Sequence, residues 1–425
     1  MPLKNKNTIS ETPKWLIIFC LVFAAEMIFG LPFHVVRYFR PTFMAVFNIT
    51  NAELGDAMAI YGITAMISYF PSGVIADHFS ARKLMSFSLF ATALGGIYLA
   101  TIPNQLGLSI VFGYWGISTI LFFWSAMIRA TRKWGGKLAQ GRAFGILDGG
   151  RGLLSAAAAT IAVFLLAAWL PKELEFISST QRIQALNSVV YFYSFLAFGT
   201  SILVWLFIPE SKLKELDETT HLMASTKKVL SNSTAWLQAL IVISAYCGYR
   251  GLDFYALYAV DILDMNEVSA SQFVANANYL RPIAAIGAGF LADRFTTLKT
   301  ILVTFTLLFF SYLILIFTAP SSTAVNIVTV DILFTFVAVY ALRGVYFALF
   351  EETNISEKHT GTTVGLISFI GFTPDIFFNS IAGRILDAST GPAGFHNFYL
   401  FLSLFAVTGI IATSVLAYKH RRRVS

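Results

Sequence analysis

The stretch Gly73-Val74-Ile75-Ala76-Asp77-His78-Phe79-Ser80-Ala81-Arg82-Lys83 returns 216 residues later as Gly289-Phe290-Leu291-Ala292-Asp293-Arg294-Phe295-Thr296-Thr297-Leu298-Lys299. A second pair, Gly141-Arg142-Ala143-Phe144-Gly145 and Gly361-Thr362-Thr363-Val364-Gly365, lies 220 residues apart. Both offsets are close to half of the 425-residue chain, so the sequence reads as an internal duplication. Each copy of the first stretch follows one long apolar run and precedes another. It is therefore a short polar loop between two apolar helices.

The composition sets the medium. Hydrophobic residues make up 56% of the chain, aromatic residues 15% (41 Phe among them), and charged residues only 12%, against about 25% charged in soluble domains. No charge interrupts Leu84 to Ile128, and similar runs span Thr300 to Val330 and Ala388 to Tyr418. A bilayer core about 30 Å thick needs roughly 20 apolar helical residues. With breaks at Pro103-Asn104-Gln105 and Pro320-Ser321-Ser322, the predicted spans are 15–46, 53–76, 84–102, 107–130, 142–170, 188–208, 235–260, 269–292, 299–318, 326–350, 361–387 and 395–418. The predicted fold is an all-α membrane protein of twelve transmembrane helices. Its two six-helix halves are residues 1–208 and 235–425, joined by a central cytoplasmic loop at 209–234 with four Lys and four acids.

The first run carries Glu26 and is too long for a signal-peptide core, so it is expected to be a retained helix. Of the 30 Lys and Arg, 21 fall in the tails and loops on one side, Lys172 and Arg182 on the other, and seven within helices or at their ends. This predicts cytoplasmic termini. The net charge of +7 is spread between apolar runs, so no nucleic-acid surface is expected. Cys20 and Cys247 sit inside apolar runs and provide neither a disulfide framework nor a metal site. No nucleotide fingerprint is found, so neither cofactor nor enzymatic activity is expected, and transport would run on gradients.

The doubled Gly-x-x-x-Asp-(Arg/His)-x-x-x-(Arg/Lys) loop in a twelve-helix chain resembles the major facilitator superfamily. The resemblance implies a secondary transporter working by alternating access in a cell inner membrane. Asp77, Arg82, Asp293 and Arg294 would form its cytoplasmic gate, or else only fix topology. The runs Phe33-His34-Val35-Val36-Arg37-Tyr38-Phe39 and Tyr246-Cys247-Gly248-Tyr249-Arg250-Gly251-Leu252-Asp253-Phe254 look like the arginine-bearing segments of organophosphate:phosphate antiporters. Helix 5 is also similar to that branch, but Arg151 stands where its substrate-site histidine would fall.

Charges at membrane depth mark pathways or pairs. The candidate substrate ligands are Arg37, Arg250 and Arg151, with Tyr38 and Tyr249 beside them, because a guanidinium fork matches phosphate or carboxylate and stays charged when desolvated. The alternative is local pairing of Asp148 with Arg151 and of Arg250 with Asp253 at i, i+3. Glu26, Asp148 and Asp375 are the candidate proton carriers, and Asp375 could instead pair with Arg343 or Arg281. Gly149, Gly150 and Gly152 are expected to allow close helix packing. The expected partners are the bilayer, a small anionic solute, and protons or phosphate as counter-substrate, with the protein acting as a monomer. The first-choice substrate is an organic phosphate exchanged for phosphate. A proton-coupled carrier of a carboxylate, sugar or other solute, and a non-transporting receptor of the same fold, stay open.

Overall fold

In a computed structural model of the chain, the structure describes residues 12–136, 140–170, 177–210, 233–318, 325–349, 367, 369–389 and 391–424. The glycine pair copy at 361–365, Lys172, the break at 320–322 and most of the central loop lie outside them. The described residues are helical throughout, without strands. The helices before the central loop are α1 Lys14–Met27, α2 Val35–Phe47, α3 Asn51–His78, α4 Ala81–Leu99, α5 Gln105–Ile117, α6 Ser125–Gly135, α7 Gln140–Ala167 and α8 Ser179–Phe207. After it come α9 Ser233–Gly251, α10 Tyr255–Asp261, α11 Glu267–Asn278, α12 Leu280–Phe295, α13 Thr297–Phe317, α14 Val325–Val345, α15 Pro374–Ala388 and α16 Pro392–Val424.

Seven stretches are individually long and apolar enough to cross a membrane, and the bent pair Lys14–Met27 with Gly30–Phe47, angled by 40°, makes eight. The other four predicted spans fall on α4, on the interrupted α9 with α10, on α11 with α12, and on the 15-residue α15. The interruptions have local causes. A π-helical turn at Gly30–His34, with Pro32 in it, joins α1 to α2. A tight 3-10 turn at Leu252–Phe254 separates α9 from α10. Pro374 starts α15 as its first residue instead of kinking a continuous helix, which puts Asp375 in the first turn.

The duplication is visible in the turns as well as in the sequence. Asn48 (φ 50°) and Asp264 (φ 55°), 216 positions apart, both adopt the left-handed conformation after α2 and α10. The next helices are capped alike, Thr50 accepting from the Glu53 amide and Asn266 from the Ser269 amide. At the doubled motif, Ser80 caps α4 by accepting from the Lys83 amide, and Thr296 caps α13 by accepting from the Lys299 amide. Each of these positions recurs at the same offset.

The two ends of the molecule differ. At the end carrying both termini, Trp134 donates to the Lys14 carbonyl (2.7 Å), Arg82 to Glu210 (2.9 Å) and Lys419 to Ser233 (2.9 Å). All three bonds stay within the helices on one side of the central loop. At the opposite end the bonds cross. Asp387 accepts from the Asn51 amide and side chain (both 3.1 Å) and from the Ala52 amide (2.7 Å). Asp56 takes both terminal nitrogens of Arg384 at 2.7 and 3.0 Å, and Glu267 holds Arg182 at 2.9 Å as well as Thr42. Below this clasp α3 and α15 pack without intervening side chains: a Cβ on Gly62 would sit 2.5 Å from the Asp375 backbone.

Candidate functional site

Between the helices that precede the central loop and those that follow it, the intramembrane charges form two closed rings. In the first, Arg37 on α2 donates from Nε to Asp253 at 2.6 Å, and Arg250 on α9 approaches the other oxygen of Asp253 at 3.5 Å. Arg250 also donates from Nε to Asp375 of α15 at 2.6 Å. Tyr249 accepts from Arg37 (2.8 Å) and Tyr246 from Arg250 (2.9 Å). Arg37, Arg250 and Asp253 are each no more than 2% exposed, and such burial is tolerated only because each charge is paired.

The second ring is built on Glu26 of α1. Its carboxylate holds Arg151 of α7 at 2.9 Å and Arg281 of α12 at 3.3 Å, with His34 at 3.2 Å. Asp148 closes the ring, 3.2 Å from Arg281 and 3.8 Å from Arg151. The Arg281 stem lies across Gly152, where a Cβ would meet it at 3.0 Å. Gly150 allows α1 to approach through Val22, while Gly149 has open space beside it and no packing role. Asp148 is 42% exposed. Since it lies two turns from the start of α7, the chamber opens toward the end that carries the termini.

The sequence-predicted residues are therefore together, with altered partners. Arg37, Arg250 and Arg151 all face the chamber, but each is held by a carboxylate. The i, i+3 contacts exist and are the long members of the rings, while the short bonds come from other helices. Asp375 pairs with Arg250, not with Arg343 or Arg281. Tyr38 bonds Ser155 (2.9 Å) beside His34, and Tyr255 packs against Tyr399 and Phe336 in the C-terminal helices, away from the rings. The doubled-motif residues stand at the open end, where Asp77, Asp293 and Arg294 are exposed and Arg82 pairs with Glu210. No ion pair links them across the central loop among the described residues. The clasp residues Thr42, Asn51, Asp56, Glu267, Arg384 and Asp387 were not singled out by sequence reasoning. The available signal was opposite charge at the helix ends facing away from the termini.

The fold and site define a membrane-embedded helical carrier with a charged chamber reached from one end. Residues 15–379 match the Major Facilitator Superfamily, and the chain belongs to that family of transporters. Among its relatives are two Escherichia coli (strain K12) proteins. Inner membrane protein YihN is 27% identical over 96% of this chain and 97% of that protein, and inner membrane protein YqcE is 28% identical over 96% of each. Among solved structures, the nucleoside transporter NupG superposes with a TM-score of 0.74 at 11% identity, covering 95% of this chain and 99% of that one. A bacterial homolog of the human lysosomal transporter Spinster, inward-facing and unoccupied, superposes with a TM-score of 0.73 at 13% identity over 96% and 98%. These structural likenesses concern the fold.

Proposed function

We propose that the chain is a secondary active transporter of a small anionic solute in the inner membrane, with twelve spans in halves 1–208 and 235–425 and cytoplasmic termini. Its substrate is an organic phosphate exchanged for phosphate. The observation that carries this reading is the charge count of the chamber: Arg37, Arg151, Arg250, Arg281 and Arg343 face Glu26, Asp148, Asp253 and Asp375. Guanidinium outnumbers carboxylate at a water-accessible depth, which favours an anion. The clasp at one end and the exposed Asp77 and Asp293 at the other support an inward-open state in which the gate residues are apart. The relatives' inner-membrane names agree with this placement.

Both rings join the helices on either side of the central loop, so rocking of one half against the other must break and remake them. An anion that competes with Asp253 or Asp375 for guanidinium lowers that cost, which couples binding to movement. Proton coupling is the second reading, and the exposure of Asp148 favours it, since Glu26 and Asp375 are held by guanidinium groups. The test is labelled-phosphate uptake into liposomes containing the protein, preloaded with phosphate or empty, with and without a pH gradient. Stimulation by internal phosphate, lost in Arg37→Lys, is the expected result, because a point charge does not replace the fork. Uptake that needs only a pH gradient and is abolished in Asp148→Asn would move the assignment to proton coupling.

A further inference from the structure

We propose that Arg343 is the docking point for the substrate's anionic group and that the chamber accepts this group as a single negative charge. The inference rests on the anion-carrier reading above and names the residue and charge state that reading leaves open.

Each ring contains two guanidinium groups and two carboxylates, so each is neutral in itself. Among the described residues, Arg343 on α14 is the one arginine of the chamber with no carboxylate in contact. Its guanidinium carbon stacks 3.8 Å from the centre of the Tyr249 ring and lies 5.9 Å from that of Tyr246. It is only partly buried, whereas Arg37 and Arg250 are closed off. An anion entering from the open end therefore meets a free fork at Arg343 before it can displace a carboxylate from any other arginine. The charged and titratable groups facing Arg343 are Tyr246 and Tyr249 from α9, Arg281 from α12, Asp148 from α7, and Tyr340 and Tyr346 from its own stretch. None of them supplies a contacting counter-ion.

The ledger fixes the charge. Five arginines against four acids leave +1, which a monoanion cancels, while a dianion leaves −1 in a desolvated chamber where an uncompensated charge is costly. The position also ties docking to the first ring. Tyr249, on which Arg343 stacks, accepts a hydrogen bond from Arg37 and lies 4.2 Å from its guanidinium carbon. An anion at Arg343 is therefore one aromatic ring away from the Arg37–Asp253 pair.

The experiment uses inorganic phosphate as the probe, in phosphate-loaded liposomes containing the full chain, at about pH 5.5 and about pH 8.5, on either side of the second phosphate ionisation. In the wild type, KM for total phosphate should rise roughly tenfold from the lower to the higher pH with Vmax little changed, because only the monoanion fraction counts. Arg343→Gln should lose exchange by at least about tenfold at both pH values while keeping the wild-type melting temperature, since no carboxylate is orphaned. Arg343→Lys should recover part of the rate and keep the pH preference. An Arg343→Gln protein that exchanges phosphate like the wild type, or a wild type with equal or lower KM at the higher pH, overturns the inference and leaves the exchanger reading standing. A wild type that exchanges no phosphate removes the exchanger reading, and this inference with it.

Discussion

Asp253 is the residue whose loss the structure penalises most clearly. It is 1% exposed, accepts from Arg37 at 2.6 Å, and lies 3.5 Å from Arg250. Asp253→Asn keeps the size and one acceptor oxygen but leaves Arg37 as a buried cation with no carboxylate. Removing one partner of a buried pair costs about 3–5 kcal/mol, and the retained acceptor puts the expected loss near about 3 kcal/mol. Arg37→Gln is milder, because Asp253 keeps Arg250 within reach. The double variant Arg37→Gln, Asp253→Asn leaves neither charge uncompensated, so a coupling of at least about 1.5 kcal/mol is expected in a double-mutant cycle. The assay is unfolding in mixed micelles of a mild detergent and dodecyl sulfate, followed by tryptophan fluorescence. A coupling below about 0.5 kcal/mol, or an Asp253→Asn protein as stable as the wild type, would refute the ring as a buried, mutually dependent unit.

Three further outcomes follow. Asp56 and Arg384 form an exposed bidentate pair (46% and 58% exposed) across the clasp, so Arg384→Gln should cost at most about 1 kcal/mol and open the clasp end several-fold more often; unchanged thiol labelling of a cysteine placed at Ala52 would contradict this. Gly62→Ala puts a methyl group against the Asp375 backbone, which should destabilise by about 1–3 kcal/mol and reduce exchange more than Gly73→Ala, where there is open space. Hydrogen bonding and charge from Lys83 hold the Glu210 carboxyl below the ordinary glutamate range. Its contribution is therefore present above the unfolded value and lost as pH falls through the folded one; Lys83→Ala should raise the Glu210 midpoint in an isotope-detected titration.

The family and helical architecture were legible because they rest on one-dimensional signals: apolar run length, and loop motifs at a fixed offset. The gathering of Arg37, Arg151 and Arg250 was legible for the same reason, as charges in long apolar runs have few places to go. Partner choice was not. The i, i+3 rule nominates Asp148 for Arg151 and Asp253 for Arg250, yet the shorter bonds run to Glu26 and Asp375 on other helices, because a helix is crossed by neighbours at heights no spacing encodes. The clasp was missed on similar grounds. Asp387 is useful to the amides of Asn51 and Ala52 only because α15 crosses α3 where glycines let the backbones meet.

The duplication also explains how one half came to differ from the other. Arg37 and Asp253 occupy equivalent places, 216 residues apart, and are bonded to each other, as residues beside a pseudo-two-fold axis must be. The same offset carries His34 onto Arg250, and the 220-residue offset carries Ser155 onto Asp375. Both equivalent pairs exist: His34 with Ser155 at 3.4 Å, and Arg250 with Asp375 at 2.6 Å. In the first half the contact is between imidazole and hydroxyl, and in the second between guanidinium and carboxylate. An ancestral symmetric contact has thus become weakly polar on one side and fully ionic on the other. Replacing the ionic pair by the first half's residues, Arg250→His with Asp375→Ser, removes one charge of each sign, so the chamber keeps its excess of one positive charge. Arg343 is untouched by that exchange. If Arg343 sets the charge preference, the doubly substituted protein should still favour the monoanion of phosphate while its turnover falls. A preference that shifts to the dianion would place the selectivity in the Arg250–Asp375 pair instead.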